Sequence, residues 1–290
     1  MSTMIEEFKK AHRLRTAEVY QCTLNRFVKF YGSADISIGR LTRDLVKRFE
    51  DYMRSNGLSL NTTSFYLRTL RAVYNRAVGS AIPTDEHPFS GVFTGNAATD
   101  KRALSLGQIK SIAHYVTADP HIAFARDMFL FSFLTRGMAF VDMAYLTPAS
   151  VIHGWLRYHR HKTGQEIVIR WEPIMQQLVD RYASRCPSSG YLLPIIGKSN
   201  GKERNQYRSV QTAVNRALKP IARALNIPSN LTMYVARHSW ASIAQELNVP
   251  LSVISRAMGH TSEKTTRIYL TELDIHKVDR ANSLIISNIL

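Results

Sequence analysis

The chain has 290 residues, of which 45% are hydrophobic and 21% charged, and this composition excludes an intrinsically disordered protein. Its length allows one large domain or two modest ones. Lys and Arg outnumber Asp and Glu by 38 to 22, which gives a net charge of +16 and predicts a polyanionic partner rather than a small-molecule substrate.

No segment predicts a membrane protein or a secreted one. The longest apolar run, around Phe124 to Leu134, is interrupted by Arg126 and Asp127 and could not span a bilayer. The segment Met1 to Arg15 is charged and lacks the apolar centre of a signal peptide. The two cysteines are isolated from each other and predict neither a disulfide framework nor a metal site. We therefore expect a cytoplasmic, nucleoid-associated protein with no metal and no membrane partner.

The first third of the chain is predicted to be a helical bundle, because apolar residues recur three and four positions apart. The helical segments are Ala17 to Phe30, Thr42 to Ser55 and Asn61 to Val78. Thr42 and Asn61 occupy predicted N-cap positions. Gly32 and Gly57 are predicted to end the helices that precede them.

The helix after Asn61 has two different faces. One face is an apolar stripe made of Leu67, Leu70, Tyr74 and Ala77. The other face carries Arg68, Arg71 and Asn75. We expect the apolar face to pack in the bundle and the polar face to contact DNA phosphates, although a polar helix face is more often simply solvated.

Residues 83–102 are predicted to be a linker between a domain at 1–82 and a second domain at 103–290, because Pro, Gly and small polar residues cluster there. A second helical pattern begins after Ser105 and continues through Leu134, then from Val141 to Leu146. The segment Trp155 to Arg170 is rich in aromatic and β-branched residues, with Thr163-Gly164 between two runs, and predicts a small β-hairpin. Helices resume at Pro173.

Three short motifs near the C-terminus belong together. They are Ala236-Arg237-His238-Ser239-Trp240, Met258-Gly259-His260 and Thr265-Thr266-Arg267-Ile268-Tyr269. With these motifs at this spacing, the chain resembles the tyrosine recombinase (phage integrase) family. The match is specific, because the three motifs would rarely occur together in this order by chance.

The resemblance covers nearly the whole chain and implies a mainly α-helical fold. The N-terminal bundle is similar to the family's core-binding, SAM-like domain. The second part is similar to the family's catalytic domain, which is mostly helical with a small β-sheet. In this family the two domains form a C-shaped clamp around duplex DNA, so we expect the same arrangement here.

The resemblance also assigns roles in cutting and rejoining DNA through a 3′-phosphotyrosine. Tyr269 is the expected nucleophile. Arg237 is expected to bind the scissile phosphate, since a guanidinium stays charged and donates two hydrogen bonds to phosphate oxygens. His260 is expected to hydrogen-bond the same phosphate, and Lys162 on the hairpin to protonate the leaving 5′ oxygen.

The hairpin carries two more basic residues near Lys162. Arg157 and Arg160 are expected to contact the DNA backbone without taking part in the chemistry.

The chain departs from the family pattern at two positions. Ala139 stands where the first catalytic arginine is expected, three residues before the acidic Asp142. Arg136 lies one helical turn upstream, in a pattern resembling a bacterial subfamily with Arg-Gly-Met-x-Phe-Val-Asp-Met, and is expected to replace it. Tyr234 stands where the family has a histidine, and a tyrosine is a poor base near neutral pH, so its role is left open between phosphate contact and packing.

The resemblance implies double-stranded DNA with paired recombination sites as the substrate and no cofactor. It also implies a homotetramer on DNA, for which the apolar residues of 274–290 are expected to form a helix exchanged between subunits. Two alternatives remain open. One is a type IB topoisomerase, and the other is a DNA-binding accessory protein that has lost catalysis.

Overall fold

The computed structural model describes residues 1–33, 36–82, 85–97, 102–185, 190–228, 230–260 and 262–267. The chain divides into two compact units, Met1–Thr99 and Asp100–Leu290. Within the described ranges, no helix is both long and apolar enough to cross a membrane.

The N-terminal unit is a helical bundle. Its helices are α1 (Ser2–Lys10), α2 (Leu14–Tyr31), α3 (Arg43–Ser55) and α4 (Leu60–Ala77). Phe27 of α2 meets Phe49 of α3 edge-on at 5.1 Å, and both are almost fully buried with Leu67 of α4. Such aromatic and aliphatic burial supplies most of the stability of a small bundle, because isolated helices of this length are marginal in water.

Helix ends in this unit follow local side-chain chemistry. The Thr42 hydroxyl accepts a hydrogen bond from the Leu45 N–H, as expected of the N-cap of α3. Gly32 ends α2 in the left-handed conformation with a φ of 87°. The predicted N-cap at Asn61 is wrong, since Ser59 caps α4 by accepting from the Thr62 N–H.

The C-terminal unit is mostly helical and contains one small sheet. Its described elements are α5 (Leu106–Ala113), α6 (Pro120–Leu134), α7 (Phe140–Ala144), β1 (Val151–Ile152), β2 (Trp155–His159), β3 (Glu166–Arg170), α8 (Pro173–Asp180), α9 (Glu203–Ala224), α10 (Met233–Glu246), α11 (Leu251–Ala257) and α12 (Glu263–Arg267). The mainly helical fold with a small β-sheet is the fold class expected from the sequence.

The helical pattern predicted from Ser105 to Leu134 forms two helices, α5 and α6, with a break between them. Pro120 lacks an N–H and restricts the residue before it, so a continuous helix cannot pass this point. Asp119 instead caps α6, accepting from the backbone N–H groups of His121 at 2.8 Å and Ile122 at 3.3 Å. Met128 and Phe129 of α6 are fully buried in the core of the unit.

The sheet is antiparallel, with its strands in the order β1-β2-β3. The predicted hairpin is β2 and β3, in which Leu156 pairs with Ile169 and Tyr158 with Ile167. The sequence did not predict β1, whose two residues are too few to produce an alternating pattern. Leu156, Ile167 and Ile169 are buried against the helical core, so one face of the hairpin is fixed to the unit.

Candidate active site

Arg237 lies at the centre of the candidate site, on α10, with 6% of its surface exposed. Its Nη1 donates to the Gly137 carbonyl at 2.8 Å, and its Nη2 donates to the Met258 carbonyl at 2.6 Å. Nη2 also lies 2.9 Å from His260 Nε2. One guanidinium therefore links the turn between α6 and α7 to the turn after α11.

The hydrogen bonds of His260 define its tautomer. A guanidinium can only donate, so Nε2 of His260 must accept from Arg237. The proton then belongs to Nδ1, which lies 2.8 Å from Thr266 Oγ1 and donates to it. Burial, followed by the positive charges of Arg237, Arg160 and Lys162, lowers the pKa of His260 to about 4. The ring is therefore neutral near neutral pH.

The turn that carries His260 is held against the hairpin. Gly259 has a φ of 64°, and a Cβ there would lie 2.6 Å from Ile167 Cδ1 and 2.8 Å from Arg160 Cδ. A side chain here would be strained by the positive φ and would force the Ile167 and Arg160 side chains to shift. Arg160 donates from Nη1 to the Gly259 carbonyl and is 9% exposed. This buried environment differs from the exposed DNA-facing position that the sequence predicts for Arg160.

Arg136 begins a strained turn beside Arg237. The φ angle of Arg136 is 62° and that of Gly137 is 72°, so the backbone of both residues is in the left-handed conformation. A Cβ on Gly137 would lie 2.5 Å from the Arg237 Cα. The Arg136 Nη1 donates to the Val168 carbonyl of β3 at 3.3 Å, and burial lowers the pKa of this guanidinium. A non-glycine residue held in this conformation is typical of functional sites.

Ala139 precedes α7 as its N-cap residue, and α7 carries the buried Asp142. The Asp142 Oδ1 accepts from the His161 N–H at 2.9 Å. Burial raises the pKa of Asp142, while this hydrogen bond and the charge of Arg160 oppose the increase. Tyr158 of β2 is partly buried, and burial raises the pKa of its phenol, which makes it a poor nucleophile.

The remaining predicted catalytic residues occupy different environments. Lys162 is exposed in the turn between β2 and β3. Tyr234, at the start of α10, is 57% exposed, and its ring meets the His238 ring edge-on at 4.6 Å. Tyr269 and the predicted exchange helix at 274–290 lie outside the described residues.

The predicted DNA-binding residues of α4 are not simply solvated. Arg68 Nη1 donates to Asn96 Oδ1 and Arg71 Nη1 donates to Thr94 Oγ1, both at 2.9 Å. Asn75 on the same helix is exposed, as is Arg157 on β2.

Residues 93–97, which we call the strap, lie along α4. The Ser64 hydroxyl donates to the Gly95 carbonyl at 2.6 Å, and the Asn61 side chain exchanges two hydrogen bonds with the Ala97 backbone. Glu50 accepts from the Phe93 N–H at 3.1 Å. This part of the predicted linker is therefore bound to the N-terminal unit, and Asn61 has a role that its sequence position did not indicate.

The sequence analysis named two residues without the part that they take in organising the site. Thr266 accepts from His260 and lies within a motif that was recognised only for its tyrosine. Arg160 holds the Gly259 carbonyl from 99 positions away. The position of Arg160 in the sequence, close to the hairpin turn, could not have identified this contact, because the contact depends on tertiary packing.

Both units match known families. Residues 1–92 match the phage integrase SAM-like domain, and residues 104–276 match the phage integrase family. The chain is 33% identical over 109 residues to the tyrosine recombinase XerC of Rickettsia canadensis (strain McKiel), which covers 37% of this chain and 34% of that protein. It is 36% identical over 67 residues to the integrase of Staphylococcus phage L54a, covering 23% of this chain and 19% of the integrase. The chain therefore matches only about a third of the length of the XerC relative, and less of the phage integrase.

Solved structures share the fold at low sequence identity. A lambda integrase tetramer bound to a Holliday junction has a TM-score of 0.70 and 13% identity, covering 93% of this chain and 77% of that one. The XerH site-specific recombinase bound to its palindromic difH substrate has a TM-score of 0.68 and 17% identity, covering 98% of this chain and 84% of that one. Since the phage integrase match alone covers more than half of the residues, the chain belongs to the tyrosine recombinase (phage integrase) family.

Proposed function

We propose that the chain is a site-specific recombinase that cleaves and rejoins duplex DNA through a 3′-phosphotyrosine at Tyr269. The observation that carries the proposal is the buried Arg237, whose guanidinium is held by two backbone carbonyls and hydrogen-bonded to His260. A guanidinium fixed in this way costs little reorganisation when a phosphate arrives, which is the requirement for stabilising a charged transition state.

The reaction would proceed by in-line displacement at phosphorus. Tyr269 gives up its phenolic proton to solvent as its oxygen attacks phosphorus, the bond to the 5′ oxygen breaks, and Lys162 gives that oxygen its proton. Arg237 and Arg136 would hold the non-bridging oxygens, where negative charge concentrates. Rejoining is the reverse step, in which a 5′ hydroxyl attacks the phosphotyrosine and Tyr269 leaves. One phosphodiester-type bond replaces another at each step, so neither ATP nor a cofactor is required.

Tyr234 would contribute hydrogen bonding rather than base catalysis. It is exposed at the start of α10, three residues before Arg237. A phenol is mostly protonated near neutral pH and is a poor acceptor for the proton of Tyr269. His260 is neutral, and its Nε2 already accepts a hydrogen bond, so it would contact a phosphate only after exchanging its partner.

The DNA partner would be a duplex with paired recombination sites, bound by a homotetramer. The solved lambda integrase with this fold is a tetramer on a Holliday junction, which supports that assembly. In the C-terminal unit the exposed Arg157 would contact the DNA backbone, and in the N-terminal unit Arg68, Arg71 and Asn75 would do so. Exchange of the 274–290 helix between subunits is part of the same proposal.

The decisive experiment recovers the covalent adduct. The protein is expressed in its own host, lysed in strong detergent and pulled down, and the attached DNA is sequenced, with Tyr269→Phe as the matched control. Adducts at a few sites flanked by paired repeats, absent from Tyr269→Phe, are the expected result.

Two other outcomes would point to the alternatives. Adducts without repeats, together with relaxation of any supercoiled plasmid, would indicate a topoisomerase. DNA binding without an adduct would indicate an accessory protein and would contradict the proposal.

A further inference from the structure

His161 stacks on Tyr145 immediately beside Lys162. The two ring centroids are 4.4 Å apart, with an angle of 29° between the ring planes. Tyr145 follows α7, whereas His161 lies in the turn that joins β2 to β3. The stack therefore joins the tip of the hairpin to the helical part of the unit.

A second contact holds the backbone of the same residue. The His161 N–H donates to the Asp142 Oδ1 at 2.9 Å, and the His161 Nδ1 lies 3.6 Å from that oxygen. Asp142 is 4% exposed, so this acceptor is fixed within the unit. Both the main chain and the side chain of His161 are thus restrained by residues of a single short helix and its end.

The tyrosine beneath His161 is itself held by other aromatic side chains. Tyr191 and Tyr207 each approach the Tyr145 ring at 6.0 Å, at angles of 85° and 68°. Burial raises the pKa of Tyr145, with the two neighbouring phenols adding to the increase. Edge-to-face contacts of this kind are favoured arrangements of aromatic pairs and restrain the Tyr145 ring. The surface against which His161 packs is therefore rigid.

The turn that carries Lys162 is closed at its base. The Arg160 N–H donates to the Gln165 carbonyl at 2.9 Å, and the Gly164 N–H donates to the Arg160 carbonyl at 2.8 Å. Arg160 also binds the Gly259 carbonyl next to His260. Lys162 is one residue beyond the restrained His161, and its positive charge is among the causes that lower the pKa of His260. Its Cα consequently has little freedom to move away from the site.

We propose that His161 is a positioning residue, which uses its stack on Tyr145 and its backbone bond to Asp142 to hold Lys162 where the leaving 5′ oxygen will form. This role rests on the proposed function, because it assigns the hairpin lysine its geometry for proton transfer. The imidazole acts through the face of its ring, so an aromatic ring without nitrogen atoms can replace it. A displacement of about 1 Å in a catalytic group can cost about a hundredfold in rate, which is why the stack matters.

The test compares two leaving groups on the same DNA. The substrate is a duplex with a site recovered by adduct sequencing, made once with the natural 5′ oxygen and once with sulfur at the scissile bridging position. A thiolate leaves without a proton, so loss of the general acid slows only the oxygen substrate. Single-turnover cleavage is measured for the wild type, Lys162→Ala, His161→Ala, His161→Phe and the double variant, with the exposed His159→Ala of β2 as the matched control.

His161→Ala is expected to cleave the oxygen substrate between about tenfold and a hundredfold more slowly than the wild type. It should cleave the sulfur substrate at nearly the wild-type rate. His161→Phe and His159→Ala should stay close to the wild type on both substrates. Adding His161→Ala to Lys162→Ala should cause no further loss, because residues that act through one group are not additive.

Equal slowing of both substrates by His161→Ala would overturn the positioning role, as would a His161→Phe variant as slow as His161→Ala. A different result would contradict the proposed function itself, namely that the wild type forms no adduct with either leaving group. The positioning role of His161 would then be contradicted as well.

Discussion

The guanidinium of Arg237 and the imidazole of His260 share a hydrogen bond of 2.9 Å between Nη2 and Nε2. The arginine must be the donor, so the bond selects the His260 tautomer whose proton lies on Nδ1 and points to Thr266. Residues from three separate motifs are thereby joined through one imidazole. The site is organised around this ring.

His260 is predicted to remain neutral down to about pH 4, and folding stability should fall on acidification for this reason. An unfolded chain has an ordinary histidine pKa of about 6.5, whereas the folded value is about 4. Between those pH values the unfolded chain binds a proton that the folded chain excludes. The stability that depends on a neutral His260 is fully present above about pH 6.5 and is lost as the pH falls towards 4.

The measurement is chemical denaturation near pH 7 and near pH 5 for the wild type and for His260→Gln. The variant should lose less stability between the two conditions than the wild type does. An NMR titration should also leave the His260 ring signals unchanged over this range. Equal losses in the two proteins, or a ring titrating near pH 6.5, would contradict the predicted environment.

Gly137→Ala is predicted to be strongly destabilising. The residue is left-handed with a φ of 72°, and the added Cβ would lie 2.5 Å from the Arg237 Cα, a backbone atom that cannot move aside cheaply. We expect a loss of about 2–4 kcal/mol in the free energy of unfolding. Gly154→Ala is the matched control, because its φ is 78° and nothing lies within 4 Å of its Cβ position.

The free energy of unfolding of Gly154→Ala should fall by about 1 kcal/mol, which is the cost of placing alanine in a left-handed backbone conformation without a steric clash. Urea denaturation of both variants gives the comparison directly. If the two substitutions cost the same, the close approach of Gly137 to α10 is not a real constraint.

The fold was predictable where the signal was local. The helices α2, α3 and α4, the N-cap at Thr42 and the hairpin of β2 and β3 follow from residue periodicity and cap chemistry. The break before α6 also had a local signal, since an aspartate followed by proline marks a helix start. The helical periodicity on both sides of that break obscured it.

The contacts that organise the site had no local signal. Whether Arg160 faces DNA or the Gly259 carbonyl depends on where the chain places a turn 99 residues later. The same holds for Arg68, which hydrogen-bonds Asn96 of the strap, 28 positions away. A charged side chain has the same sequence signature in both settings, so the pattern alone assigned these residues to contacts with DNA.

Arg136 is predicted to act in the chemistry, whereas Arg160 supports the structure. Arg136→Ala should slow cleavage by about a hundredfold to a thousandfold, as expected for the loss of one preorganised donor to the transition state. The thermal stability of Arg136→Ala should change little, because among the described residues the Arg136 side chain makes one long hydrogen bond, of 3.3 Å, to the Val168 carbonyl. Arg160→Ala should lower the stability, since it leaves the buried Gly259 carbonyl without this donor.

Adding Ala139→Arg to Arg136→Ala provides the sharpest check of the shifted arginine. The sequence predicts one helical turn between positions 136 and 139, but the structure has a left-handed turn at Arg136 and Gly137 and makes Ala139 the N-cap of α7. Because position 139 is where the family pattern has its first catalytic arginine, a guanidinium introduced there should restore part of the cleavage rate. Single-turnover cleavage on a recovered site measures this. A wild-type rate for Arg136→Ala would remove Arg136 from the mechanism.

The strap is predicted to hold the α4 arginines without neutralising them. Asn96 and Thr94 are uncharged acceptors, so Arg68 and Arg71 keep their positive charge for DNA phosphates. Each phosphate contact contributes about 0.9 to the slope of log affinity against log salt concentration. Arg68→Ala should therefore lower that slope by about 1, while Asn96→Ala should weaken binding and leave the slope unchanged.

Asn96→Asp tests whether the charge of Arg68, as well as its position, matters for DNA binding. The substitution puts a carboxylate where the amide oxygen now accepts from Arg68. This variant should lower the slope as Arg68→Ala does, since the arginine would be paired within the protein. Asn56→Asp is the matched control, as Asn56 is an exposed residue at the end of α3 and gives the same change in net charge. Fluorescence anisotropy with a short duplex across a salt series supplies the slopes. If both aspartate variants lower the slope equally, net charge alone explains the effect and the strap has no specific part in DNA binding.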